Sequence, residues 1–172
     1  MLSTDFTLTY SNRMKIKIVC VGKIKESFYR EALSEYAKRL SKFASFSVCE
    51  VPDEKTDEKA SQKEIELILS KEGRRILEQI GNDEYVISLC IEGKPLSSMD
   101  FSRKLSSIFL NGYNTVSFVI GGSLGLSEEV KNRSDLKLSF SEMTFPHQLM
   151  RVILSEQIYR AFKIINNEPY HK

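Results

Sequence analysis

The chain has 172 residues, 41% of them hydrophobic and 28% charged. That length and balance fit one domain around one core and exclude disorder, collagen-like repeats and low-complexity arrays. Lysine and arginine number 25 against 23 acids, and the net charge of +2 neither signals nor excludes a nucleic-acid partner.

Residues 1–13 lack the basic start and apolar centre of a signal peptide and read as a mobile upstream extension or as appended residues. Met14 opens the domain, which runs over residues 14–172. Residues 16–21 form an apolar run closed by Gly22, the pattern of a buried strand. Residues 26–43 follow helical spacing, with Phe28, Leu33, Tyr36, Ala37 and Leu40 on the apolar side. A second strand over 46–51 stops at Pro52, and the charged stretch 53–63 reads as a solvated loop. Helical spacing resumes over 64–80 and ends at Gly81, a C-cap glycine.

A third strand over 85–91 leads into Glu92-Gly93-Lys94-Pro95. Ser97 or Ser98 caps the next helix, which carries Phe101, Leu105, Ile108 and Phe109 and stops at Asn111-Gly112. The fourth strand, 115–120, runs straight into Gly121-Gly122-Ser123-Leu124-Gly125. Ser127 caps a short helix whose first turn holds Glu128 and Glu129, where a helix favours acids. Residues 135–139 make a short fifth strand, and Pro146 opens a last helix that runs to Ile165. Strands interleaved with helices imply an α/β fold, a mostly parallel sheet of five or six strands covered on both faces.

No apolar run approaches the ~18–20 residues of a membrane span, so no membrane association is expected. Cys20, Cys49 and Cys90 show no C-x-x-C spacing. They read as small buried hydrophobes in a reducing cytosol, with no metal site.

In an open α/β sheet, ligands bind beyond the carboxyl ends of the strands. Three connections there stand out: Leu89-Cys90-Ile91-Glu92-Gly93, the glycine-rich 121–125, and Phe140-Ser141-Glu142-Met143-Thr144-Phe145. The glycine segment is neither G-x-G-x-x-G nor a P-loop, and it serves equally as a tight turn or as a ligand loop. His147 reads as a base or as a capping or packing residue. The last helix is apolar around most of its circumference, so either the core or a second subunit must cover it, and a two-fold dimer is expected. Arg151 and Arg160 place cations near the cleft. Lys15, Lys17, Lys23 and Lys25 read either as scattered solvated charge or as an RNA-contacting rim.

Val119-Ile-Gly-Gly-Ser-Leu-Gly-Leu126, Leu138-Ser-Phe-Ser-Glu-Met-Thr-Phe-Pro-His147, Arg151-Val-Ile-Leu-Ser-Glu-Gln-Ile-Tyr-Arg-Ala161 and the terminal Tyr170-His171 occur together here. In combination they resemble the bacterial RlmH (YbeA-like) family of SPOUT methyltransferases, which act on N3 of a pseudouridine in 23S ribosomal RNA. The resemblance runs from Met14 to Lys172. It implies a C-terminal trefoil knot, a homodimer, S-adenosyl-L-methionine as methyl donor and a cytoplasmic enzyme. It also implies 23S rRNA as partner, within the large subunit or the assembled ribosome. Carried over by motif, the cofactor positions are Leu89, Gly121, Phe140, Ser141, Glu142, Met143, Thr144 and Phe145. All lie on the three connections already singled out.

Methyl transfer from a sulfonium needs no metal. A uracil-type imide nitrogen must lose its proton and spread charge onto its carbonyls, which calls for positioning, a cation and a base. Arg151 is expected as the electrostatic or RNA-binding residue, His171 as base or substrate-orienting group, and Tyr170 as a stacking or hydrogen-bonding partner. Arg160 is spaced to pair with Glu156 instead. Two other readings compete: a non-catalytic dimeric RNA-binding module, and a small nucleotide hydrolase, for which Glu92 and Glu142 supply too few acids.

Overall fold

The computed structural model describes residues 14–170. The expectations placed on residues 1–13 and on His171 therefore lie outside the described residues. The elements alternate as the sequence predicts: β1 (Lys15–Val21), α1 (Ser27–Leu40), β2 (Ser45–Val51), α2 (Gln62–Leu77), β3 (Tyr85–Pro95), α3 (Ser98–Leu110), β4 (Thr115–Ile120), α4 (Glu128–Arg133), β5 (Leu136–Ser139) and α5 (His147–Ile165). The strands form one parallel sheet in the order β2-β1-β4-β3-β5.

Alternation along each strand splits the core into two layers. Ile16, Ile18 and Phe118 point to one face, beneath α1, α3 and α5, with Leu105, Leu154 and Ile158 packed on them. Val19, Val21 and Val119 point to the other, covered by Ile76 of α2 and Val130 of α4. The apolar α5 is largely taken up by the chain's own core. Met150, Leu154, Ile158, Ala161 and Phe162 are buried, while Leu149, Val152, Ile164 and Ile165 stay half-exposed.

Several local readings shift. Serine caps start three helices: Ser61 accepts from Glu64 N–H, Ser97 from Asp100 N–H and Ser127 from Val130 N–H. At Ser61 the Glu64 carboxylate returns the bond to the Ser61 N–H at 2.7 Å, a reciprocal capping box that begins α2 at Gln62, inside the predicted loop. Phe28, expected on the apolar side of α1, is 58% exposed and leans on Tyr29 with ring centroids 4.3 Å apart. Of the cysteines, Cys20 alone is buried, its thiol pushed up to about 12 by that burial; Cys49 and Cys90 are half-exposed.

β3 departs most from expectation. It does not end at residue 91, because its pairing with β5 resumes after a bulge: Leu138 is the register partner of both Leu89 and Lys94, and Ser139 follows with Pro95. Residues 90–93 thus bow outward around Leu138. A Cβ on Gly93 would lie 2.6 Å from the Leu138 carbonyl carbon and 2.8 Å from its nitrogen, so two backbones cross there with no room for a side chain.

Candidate active site

The carboxyl ends of β3, β4 and β5 open into a cavity of about 390 Å³. Its walls come from the bulge after Leu89, the glycine loop and the connection from β5 to α5. Of the expected cofactor positions, Leu89, Gly121, Phe140, Ser141, Met143, Thr144 and Phe145 line it. Glu142 is exposed and not part of the wall, because the turn that brings Met143 N–H to Ser141 Oγ at 3.0 Å carries the residue between them outward. Cys90, Ile91, Glu92, Lys131, His147 and Met150 also line the cavity, and no sequence reading had made them cofactor positions. Cys90, Ile91 and Glu92 belong to the 89–93 connection that the sequence marks. Lys131 arrives from α4, which no motif tied to the cleft.

The glycine loop has a physical cause for each of two glycines. A Cβ on Gly121 would stand 2.2 Å from the Gly125 carbonyl oxygen and 2.5 Å from its carbon, an overlap no side chain survives. Gly125 has φ of +85° and donates its N–H to the Gly122 carbonyl at 3.0 Å, which closes the loop into a tight turn. The loop is thus a tight turn, and the same backbone forms one side of the cavity. Behind it stands Glu72, 5% exposed, whose carboxylate accepts from Glu54 N–H at 2.9 Å. Burial pushes its carboxyl up.

Charge in the cavity is sparse and paired. Lys131 Nζ lies 2.5 Å from Glu92 and 3.2 Å from Glu128. Its hydrogen bond holds the Glu92 carboxyl below the usual range, and Glu92 in turn raises the Lys131 ammonium. His147, half-buried at the start of α5, is pushed down by burial and by the nearby Arg151 charge, so its imidazole is neutral at neutral pH. Among the described residues no group of three or more His, Cys, Asp or Glu is placed to hold a metal ion, and no helix is long and apolar enough to cross a membrane.

Arg151 corrects an expectation. The sequence suggests an electrostatic or RNA-binding cation, but the side chain is 1% exposed, which removes the RNA-facing alternative within this chain. Its guanidinium donates to Glu50 at 2.8 Å and to the carbonyls of Val21 and Gly22 at 2.8 and 2.9 Å, so within this chain it meets no solvent and anchors the end of β1. Tyr170 also lies away from the cavity. Its ring meets Tyr159 edge-on at 5.1 Å, sits under the Arg160 guanidinium at 4.8 Å, and its hydroxyl reaches Glu156 at 3.4 Å. Tyr159 is about 18 Å farther along α5 than His147, at ~1.5 Å per residue. Arg160 and Glu156 form the expected pair at 2.7 Å. The lysine cluster divides: Lys17 is pinned to Glu84 at 2.8 Å, whereas Lys23 and Lys25 are exposed at the carboxyl end of β1.

The cavity lies at the carboxyl end of the parallel sheet, and comparison with known proteins bears on the whole chain that forms it. The family described as "Predicted SPOUT methyltransferase" matches residues 14–171. The chain belongs to the SPOUT methyltransferase family. It is 54% identical over 159 residues to the ribosomal RNA large subunit methyltransferase H of Leuconostoc citreum, covering 92% of this chain and 100% of that protein. The protein of the same name from Streptococcus uberis gives the same identity and coverage, and that from Lactiplantibacillus plantarum is 53% identical over the same spans. A solved probable methylase family protein from Haemophilus influenzae Rd KW20 shares the fold, with a TM-score of 0.51 and 13% identity over 94% of this chain and 71% of that one. As a SPOUT methyltransferase the chain is an enzyme, and its fold class carries a C-terminal knot.

Proposed function

We propose that residues 14–172 form a cytoplasmic methyltransferase domain that uses S-adenosyl-L-methionine to methylate N3 of a pseudouridine in 23S ribosomal RNA, within the large subunit or the assembled ribosome. One observation carries this reading: the three connections marked by the family motifs converge on a single cavity, one side of which is the 121–125 glycine loop. The residues fit the methyl donor. A cavity of about 390 Å³ falls in the ~300–1,000 Å³ range of small-ligand sites, and its apolar walls with few placed polar groups match a nucleoside. When bound, the donor supplies an electrophilic methyl group on a sulfonium.

Leu89, Gly121, Phe140, Ser141, Met143, Thr144 and Phe145 hold that donor, with Glu142 contributing through its backbone. The chain works as a homodimer, and the half-exposed apolar residues of α5 support this state. Dimerisation also reconciles the tail with the chemistry. Tyr170 lies too far along α5 to serve its own cavity, so Tyr170 and His171 act at the cavity of the second copy. There the tail orients the nucleobase, with His171 receiving the N3 proton. Arg151 is a positioning residue rather than a catalytic one.

The experiment compares ribosomal RNA from cells with and without the gene by nuclease digestion and mass spectrometry. Loss of one methyl group from a single pseudouridine is the expected result. Identical methylation in both samples overturns the substrate, and purified protein that binds the RNA without transferring methyl identifies a non-catalytic module instead.

A further inference from the structure

The connection from β1 to α1, residues 22–26, is short, yet side chains from three other places hold more than half of its backbone polar groups. Arg151 of α5 donates to the carbonyls of Val21 and Gly22, and Glu50 of β2 accepts from Ile24 N–H at 3.0 Å. Gln148 of α5 accepts from Lys25 N–H at 2.7 Å. Arg30 of α1 donates to the carbonyls of Ile24 and Lys25 at 3.0 and 2.8 Å, and the Ile24 side chain is buried below. A backbone held this firmly presents its outward side chains from fixed positions.

Those side chains are Lys23, Lys25 and, in the first turn of α1, Phe28. All three are exposed, and among the described residues no ion pair or hydrogen bond occupies either ammonium group. A single exposed phenyl ring is ordinary on a protein surface. Two unpaired ammonium groups on a held segment, with an exposed ring in the helix turn that follows it, form the combination that grips unpaired nucleotides: cations on phosphates and a ring stacked on a base. Gln148 adjoins His147 of the cavity wall, so this segment shares a rim with the proposed active site. Glu26 and Asp53 border it, so the grip rests on placed contacts rather than on bulk positive charge.

We propose that Lys23, Lys25 and Phe28 form a docking surface for unpaired nucleotides flanking the methylated base. The inference rests on the ribosomal RNA reading above and gives the buried Arg151 its purpose, that of holding this surface in place.

The test measures binding of wild-type protein, Lys23→Ala/Lys25→Ala and Phe28→Ala to ribosomes from cells lacking the gene, across a salt series. Cofactor binding by calorimetry and oligomeric mass by light scattering accompany it. Losing two phosphate contacts makes the slope of log K against log salt shallower by about 1.4–1.8. Losing one stacked base weakens binding about 5- to 150-fold. Cofactor affinity and mass stay unchanged in both variants. Unchanged ribosome affinity overturns the surface, and so does a drop in oligomeric mass for Phe28→Ala, which assigns the ring to a second copy of the chain. Wild-type protein that binds neither cofactor nor ribosomes overturns the methyltransferase reading itself, and this surface with it.

Discussion

Arg151 shows how little a residue type reveals until its neighbours are known. An arginine in a largely apolar helix near a cleft suggests phosphate or developing negative charge, yet here the two terminal guanidinium nitrogens are held by Glu50 and by two carbonyls at the end of β1. Removing it leaves those acceptors unsatisfied. Arg151→Met is therefore expected to destabilise the fold by about 2–4 kcal/mol, toward the lower part of the range for broken buried pairs because Glu50 keeps some access to water. Urea unfolding reads this directly, and a loss under about 0.5 kcal/mol contradicts the anchoring role. His147 gives the corresponding pH prediction. Its folded-state value lies below the ordinary histidine range, so protonation favours the unfolded chain. Its contribution is present above ~6.5 and is lost as pH falls below that. His147→Asn should flatten the decline of melting temperature between about pH 7 and pH 5, and an unaltered decline rules out the histidine as its source.

At the scale of elements, most of the fold was legible because each element carries its own signal. Apolar runs end at Gly22, Pro52 and Gly121, and α3 and α4 begin at the serine caps Ser97 and Ser127. What escaped reading depends on partners far away in sequence. The β3 bulge exists because residues 90–93 must pass around Leu138 of β5, and nothing local to Glu92-Gly93 announces that crossing. The capping box at Ser61 was legible in principle, since serine stands three residues before Glu64, but the charged stretch around it resembled a loop. Ser61→Ala should cost about 1 kcal/mol by thermal unfolding, and no change places the start of α2 elsewhere. In the glycine loop the limit is steric. Gly121→Val drives a side chain into the Gly125 backbone, so it should abolish cofactor binding by calorimetry. Normal affinity in that variant removes the loop from the site.

The whole molecule is a parallel sheet whose carboxyl rim gathers three connections into one cavity and carries a fourth, from β1 to α1, beside it. The segments that line the cavity were readable because the motifs lie in three compact stretches. The burial of Arg151 and the distant packing of Tyr170 were not, because both follow from how α5 crosses the sheet and how the chain folds back after it. The central claim is that this cavity holds the methyl donor. A crystal structure of the protein with S-adenosylhomocysteine tests it most directly. The account predicts the adenosine between Leu89, the 121–125 loop and the 140–145 connection; density for the nucleoside at any other place, with this cavity empty, contradicts it.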